Sequence, residues 1–170
     1  MIAATGDAPV DRNHGKRTMG AKIEDSNIER KAKINLYRNN RDYRDNGKVK
    51  VISLNGNVLL AGEVPNSAMK QEASDIVGDV RHVLSVHNEL AVQEPTSLFS
   101  RFTDTWITGK AKTRLLFSPN TPGRRTKIVT RRGVVYVMGL LTHAETDAVV
   151  QRLQKVYGAQ KIIKIIEYID

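Results

Sequence analysis

The sequence contains no cysteine, which removes both a disulfide framework and a thiolate metal site. No apolar run approaches the length of about 20 residues that a helix needs to cross a bilayer. The four histidines, His14, His82, His87 and His143, show no ligand spacing. No phosphate-cradling glycine loop, nucleophile elbow or metal motif occurs, and Ser, His and Asp are scattered. These absences leave no support for an enzyme, and the expectation is a non-enzymatic protein with no cofactor and no metal. Aromatic residues are scarce at 5%, with a single tryptophan, Trp106. Net acidity is missing too, since 27 basic residues face 18 acidic ones, a formal charge of +9.

The charge is local. Residues 98–135 hold Arg101, Lys110, Lys112, Arg114, Arg124, Arg125, Lys127, Arg131 and Arg132 against Asp104 alone, whereas the stretches on either side are close to neutral. A patch of one sign points to an anionic partner.

What the chain does have is an internal repeat. Asp25, Ile28, Lys31, Ala32 and Leu36 recur as Asp104, Ile107, Lys110, Ala111 and Leu115 (104 − 25 = 79). Lys50, Gly56, Val58 and Gly62 recur as Lys127, Gly133, Val135 and Gly139 (127 − 50 = 77). The first offset then returns, carrying Leu84, Val86 and Leu90 onto Ile163, Ile165 and Ile169. A repeat this long suits two small domains in tandem rather than a solenoid.

Each copy spells the same elements. Ile28, Ala32 and Leu36 make one helical stripe, and Met69, Ala73, Val77 and Val80 make another behind a cap at Pro65-Asn66-Ser67. Arg38 to Lys48 reads as a polar loop. Val49 and Val51 alternate with lysines as a strand, Asn55-Gly56 signals a tight hairpin, and Val58 to Ala61 return. In the second copy a helix is expected from near Asp104 to Phe117, a loop from Ser118 to Arg125, and a turn at Arg132-Gly133. A stripe at Val149, Leu153 and Val156 and a last strand from Lys161 to Tyr168 complete it. The order is helix, strand, strand, helix, strand, twice, an α+β arrangement. The expected boundaries are a flexible leader over 1–21, a first domain over 22–92, a linker over 93–97 and a second domain over 98–170.

Asp104-Thr105-Trp106-Ile107-Thr108, Val58-Leu59-Leu60-Ala61-Gly62 and Tyr136-Val137-Met138-Gly139-Leu140 carry a family resemblance. So does Arg17-Thr18-Met19-Gly20, ahead of the first copy. The chain resembles the dual-BON-domain outer-membrane lipoproteins, the division and outer-membrane stress-associated lipid-binding family of Gram-negative bacteria. That resemblance implies two tandem BON domains, each a three-stranded mixed sheet with two helices on one face. It also implies a periplasmic, outer-membrane-associated protein that supports envelope integrity. Its partner would be anionic phospholipid such as phosphatidylglycerol or cardiolipin, bound chiefly through the first helix of the second domain. Family members are anchored through a lipidated N-terminal cysteine. None is present here, so the expectation is that the sequence begins after it and that the anchor rests on the resemblance alone.

The residues of that helix point the same way. Ile107, Ala111 and Leu115 form its core stripe. A second stripe remains, made of Trp106, Gly109, Lys110, Thr113, Leu116 and Phe117, with Lys112, Arg114 and Arg124 nearby. One stripe is enough to cover a small sheet. Tryptophan, phenylalanine and leucine beside lysine and arginine is the pattern of a helix lying in a membrane interface. The rivals are a basic nucleic-acid-binding module and a protein–protein interaction module. Phosphates attract the same patch, but single-strand readers use several aromatics on an open sheet, and no recognition signature is present. Ile162, Ile166 and Tyr168 are expected on the outer face of the last strand, available to dock the two domains or an envelope protein partner.

Overall fold

The computed structural model describes residues 15–94, 97–119 and 121–170. They form two three-stranded sheets with strand orders β1-β2-β3 and β4-β5-β6. The first unit runs α1 (Met19–Asn39), α2 (Asp42–Asp45), β1 (Lys50–Leu54), β2 (Asn57–Val64), α3 (Ser67–Gly78) and β3 (Ser85–Val92). The second runs α4 (Leu98–Leu116), a 3-10 turn (Gly123–Arg125), β4 (Thr126–Arg131), β5 (Val134–Leu141), α5 (His143–Gln154) and β6 (Lys161–Tyr168). In each sheet the hairpin is antiparallel and the third strand lies parallel to the central one, so both sheets are mixed.

The hairpin turns follow from local chemistry. Asn55 and Gly56 have φ of 52° and 78°, and Arg132 and Gly133 have φ of 51° and 74°. Both turns need two consecutive left-handed residues, which a glycine at the second position accepts without strain. A helix carboxylate then holds each turn. Asp25 accepts from the N–H groups of Asn55 and Gly56 at 3.0 and 3.1 Å and from the Ser53 hydroxyl at 2.7 Å. Asp104 accepts from the N–H groups of Arg132 and Gly133 at 2.8 and 2.9 Å. The repeated aspartates are therefore structural, tying the first helix of each unit to its hairpin.

Alternation along the central strands builds the cores. Val58, Leu60 and Val64 face α1 and α3, together with Ile28, Ala32, Leu36, Ala73 and Val77. Val135, Val137 and Leu141 face α4 and α5, together with Ile107, Ala111, Leu115, Val149 and Leu153. The opposite faces meet each other, with Leu54, Leu59 and Ala61 of one sheet packing on Tyr136, Met138, Leu140 and Ile165 of the other. The molecule thus has four layers, with helices outside and two sheets within. Both faces of β2 and β5 are covered, which is why these strands read as continuous apolar runs.

Several local expectations change. Residues 1–14 of the expected leader lie outside the described residues, and Met19 to Ala21 belong to α1, capped by Thr18. The segment expected as a polar loop after Leu36 holds the end of α1 and the short α2. Its Tyr43 is fully buried and donates to the Met69 carbonyl at 2.8 Å, so a polar stretch contributes a core residue. The last strands are 76 positions apart, not 79 (161 − 85 = 76). A slip by an odd number exchanges the faces of a strand. Accordingly Ile162 and Ile166 pack into their own unit's core, and Ile163, Ile165 and Ile169 turn to the other sheet. Leu84, expected on β3, lies before it and is exposed.

Candidate lipid-facing helix

Helix α4 starts earlier than its core stripe suggests. Ser97 caps it, its hydroxyl accepting from the Ser100 N–H at 3.2 Å. Asp104, Ile107, Ala111 and Leu115 are buried on the inner side. A residue advances about 100° around a helix. That rotation puts Trp106, Gly109, Thr113, Leu116 and Phe117 on the side away from the sheet. Trp106 is 53% exposed, Leu116 53% and Phe117 84%. A Cβ added at Gly109 would meet nothing within 4 Å, so the stripe is open there. The Lys110 ammonium lies 3.5 Å from the Trp106 ring centroid, over its face. This arrangement keeps a cation next to the indole without burying it.

The same rotation puts Lys110 and Arg114 on one flank of the stripe and Lys112 on the other. All three are exposed. Arg114 also donates through Nη1 to the Lys155 carbonyl, joining α4 to the turn after α5. Lys155 and Tyr157 in that turn complete an open groove with Trp106, Gly109, Lys110 and Thr113. Arg124 is exposed in the 3-10 turn. The backbone there closes on the end of α4, where a Cβ on Gly123 would come within 2.7 Å of the Leu115 carbonyl. The expected residues Trp106, Gly109, Lys110, Thr113, Leu116, Phe117, Lys112, Arg114 and Arg124 are thus gathered on or beside one helix.

Three further cations are used differently. Lys127 Nζ sits 2.9 Å from Glu29 of the first unit and 2.6 Å from the Ser53 carbonyl. Arg131 is buried, 3.6 Å from Glu63, and donates to the Lys48 carbonyl at 2.9 Å. Arg125 forms an ion pair with Glu145. Three of the nine cations counted as one patch therefore hold the fold, and two of those join the units.

Sequence reasoning missed the start of the stripe. Leu98, Phe99 and Phe102 are 72%, 82% and 75% exposed, and Tyr157 is 83% exposed. The signal was present: Ser97 is a capping residue, and Phe99, Phe102 and Trp106 follow at helical spacing. Among the described residues, no group of three or more His, Cys, Asp or Glu could hold a metal ion, and no helix is long and apolar enough to cross a membrane.

Two mixed sheets, each with its helix–hairpin–helix–strand order, define the class of protein. The BON domain model matches residues 24–94 and 103–170, and the chain belongs to the BON domain family. Among individual proteins, the chain is 31% identical to the outer membrane lipoprotein DolP of Haemophilus influenzae over 91% of this chain and 79% of that protein. It is 28% identical to the 21 kDa hemolysin of Actinobacillus pleuropneumoniae over 95% of this chain and 81% of that protein. Among solved structures, CdsD, a structural protein of the type III secretion system of Chlamydia trachomatis, aligns over 87% of this chain and 92% of that chain. The identity is 13% and the TM-score 0.34, a likeness too loose to build on.

Proposed function

We propose that this chain is a non-enzymatic protein that binds anionic phospholipid at the periplasmic face of the outer membrane and supports envelope integrity. Residues 22–92 and 98–170 are its two units, and the second carries the lipid site. The observation behind this reading is the outer face of α4. An exposed indole under a lysine, continued by Leu116 and Phe117, is flanked by cations on both sides. Such a face offers apolar groups to the acyl boundary and charge to the headgroups. The family supports it, as does the relative from Haemophilus influenzae, which is named an outer membrane lipoprotein.

The first unit lacks the exposed rings of this face, although Met19, Ile23 and Ile34 are exposed on its α1. Asn27 stands where the second has Trp106, and Arg38 where it has Phe117 (27 + 79 = 106; 38 + 79 = 117). Asn27 is instead hydrogen-bonded to Arg30 along its own helix.

Co-sedimentation tests the reading. Vesicles containing phosphatidylglycerol or cardiolipin should retain the full chain, and phosphatidylcholine vesicles should not. Retention should weaken as salt rises, because exposed charges are screened beyond about 8 Å at physiological ionic strength. Equal retention by zwitterionic vesicles would overturn the electrostatic half of the reading.

A further inference from the structure

Resting on the phospholipid reading of α4, we infer that the first turns of this helix form a second anchor independent of headgroup charge. Leu98, Phe99 and Phe102 enter the acyl–headgroup boundary of an anionic bilayer together with Trp106 and Phe117. The helix then lies flat on the membrane along its whole length rather than touching it at one end.

Phe99, Phe102, Trp106, Gly109, Thr113, Leu116 and Phe117 follow at intervals of three and four, with Leu116 and Phe117 adjacent, so they share one side of a straight helix. The helix has 19 residues, about 28 Å at 1.5 Å per residue. Exposed rings stand near both of its ends. A helix that met the bilayer only at its C-terminal end would leave Phe99 and Phe102 in water.

The first half is also prepared for a less polar setting. Ser97 caps its N-terminus. The hydroxyls of Thr103 and Thr105 donate to the carbonyls of Phe99 and Arg101 at 3.1 and 2.9 Å. Those hydroxyls are satisfied within the helix, which lowers the cost of bringing them toward hydrocarbon.

Charge divides the helix. Between Leu98 and Gly109 the charged residues are Arg101 and Asp104, which cancel, whereas Lys110, Lys112 and Arg114 follow in the second half. An anionic surface complements the second half, and the same face continues from it past Gly109 to Trp106, Phe102 and Phe99. That continuity commits the whole face to one bilayer. The first half contributes buried apolar area, and the second contributes attraction to headgroups.

The full chain tests this directly. Phe99→Ser/Phe102→Ser should keep its circular dichroism, since both rings are mostly exposed. Its partitioning onto phosphatidylglycerol-containing vesicles should fall roughly tenfold or more, at low and high salt alike. Lys110→Ala/Lys112→Ala should instead flatten the salt dependence. A direct readout comes from moving the tryptophan, as Phe102→Trp in a Trp106→Phe background. Its emission should shift blue on those vesicles and be quenched by brominated lipid. Unchanged partitioning of the double serine variant, or no shift from the relocated tryptophan, overturns the inference. If native Trp106 still shifts blue in that case, the phospholipid reading stands without it. A wild-type chain that ignores the vesicles overturns both. A wild-type dimer that the serine variant dissolves assigns the stripe to a second copy, and that also overturns the inference.

Discussion

Lys127 and Glu29 lie 98 positions apart in the chain, yet Lys127 Nζ is 2.9 Å from Glu29 Oε1. Glu29 Oε1 also accepts from the Ser53 N–H at 2.9 Å, and Lys127 reaches the Ser53 carbonyl as well. A cation of the second unit thereby closes on α1 and β1 of the first. Arg131 does the same beside Glu63, donating to carbonyls at Gly47 and Lys48. The charge asymmetry between the repeats thus has two causes. Some cations face outward on α4, and others hold the two sheets together.

The Arg131–Glu63 contact is buried on both sides, at 7% and 1% side-chain exposure. Removing one partner of a buried pair strands the other, at a cost of about 3–5 kcal/mol. Glu63→Gln should therefore lower the thermal midpoint clearly. Glu63→Leu/Arg131→Met should recover most of it, because both charges leave together. Calorimetry on the three proteins checks this, and a double variant as unstable as the single would contradict it.

Asp25 predicts a pH dependence. Burial pushes its carboxyl up, but the Ser53 hydroxyl, the Asn55 and Gly56 N–H groups and the Arg17 guanidinium outweigh that and hold it below 3.8. A carboxyl lowered in the folded state stabilises the fold above its unfolded pKa. That stabilisation is lost as pH falls through the lower folded value. Asp25→Asn should cost about 2 kcal/mol at neutral pH, by leaving buried donors poorly satisfied. The gap to wild type should narrow in acid. Denaturant titrations at neutral and acid pH measure both, and a constant gap would mean that this carboxylate does not set acid stability.

The exposed cations predict a graded loss. Lys110, Lys112 and Arg114 should each contribute about 1 kcal/mol on an anionic surface. Replacing all three by alanine should weaken vesicle binding by roughly two orders of magnitude and flatten its salt dependence. Lys127→Ala should leave the salt dependence of binding unchanged, because that ammonium faces the first unit. A flatter slope in Lys127→Ala would place the lipid-facing charge elsewhere.

Trp106→Glu should abolish binding and leave the fold intact. Ile107, Ala111 and Leu115 continue to hold the helix to its sheet, and the ring they leave outside is half exposed. Circular dichroism must show an unchanged spectrum. If the second unit unfolds, the indole belongs to the core.

Much of this fold could be read from the chain because alternation and helical spacing survive in both copies. The Asn55-Gly56 and Arg132-Gly133 turns and the β6 strand lie where the residues put them. The register of β6 was not legible. Ile162, Ile163, Ile165, Ile166 and Ile169 are apolar on both sides, so nothing in the pattern distinguished a shift of 79 from one of 76. Tyr43 was hidden by its polar neighbours, since a single buried ring has no periodicity. At the site, the residues around Trp106 were legible because apolar groups exceeded what one core stripe uses. Phe99 and Phe102 were not legible as part of the stripe, because they follow directly on the expected linker over 93–97 and the core stripe begins only at Asp104. The partners of Lys127 and Arg131 could not be found at all, since Glu29 and Glu63 meet them only when the sheets pack face to face.

Trp106 fluorescence tests the central claim most directly, because one tryptophan reports one place. The full chain should be titrated with phosphatidylglycerol-containing vesicles, with phosphatidylcholine vesicles and with an oligonucleotide. An anionic bilayer and a nucleic acid both attract Lys110 and Arg114, but only the bilayer gives the indole an apolar phase to enter. The account predicts a blue shift with anionic vesicles and none with the other two. A shift with the oligonucleotide and none with vesicles would contradict it.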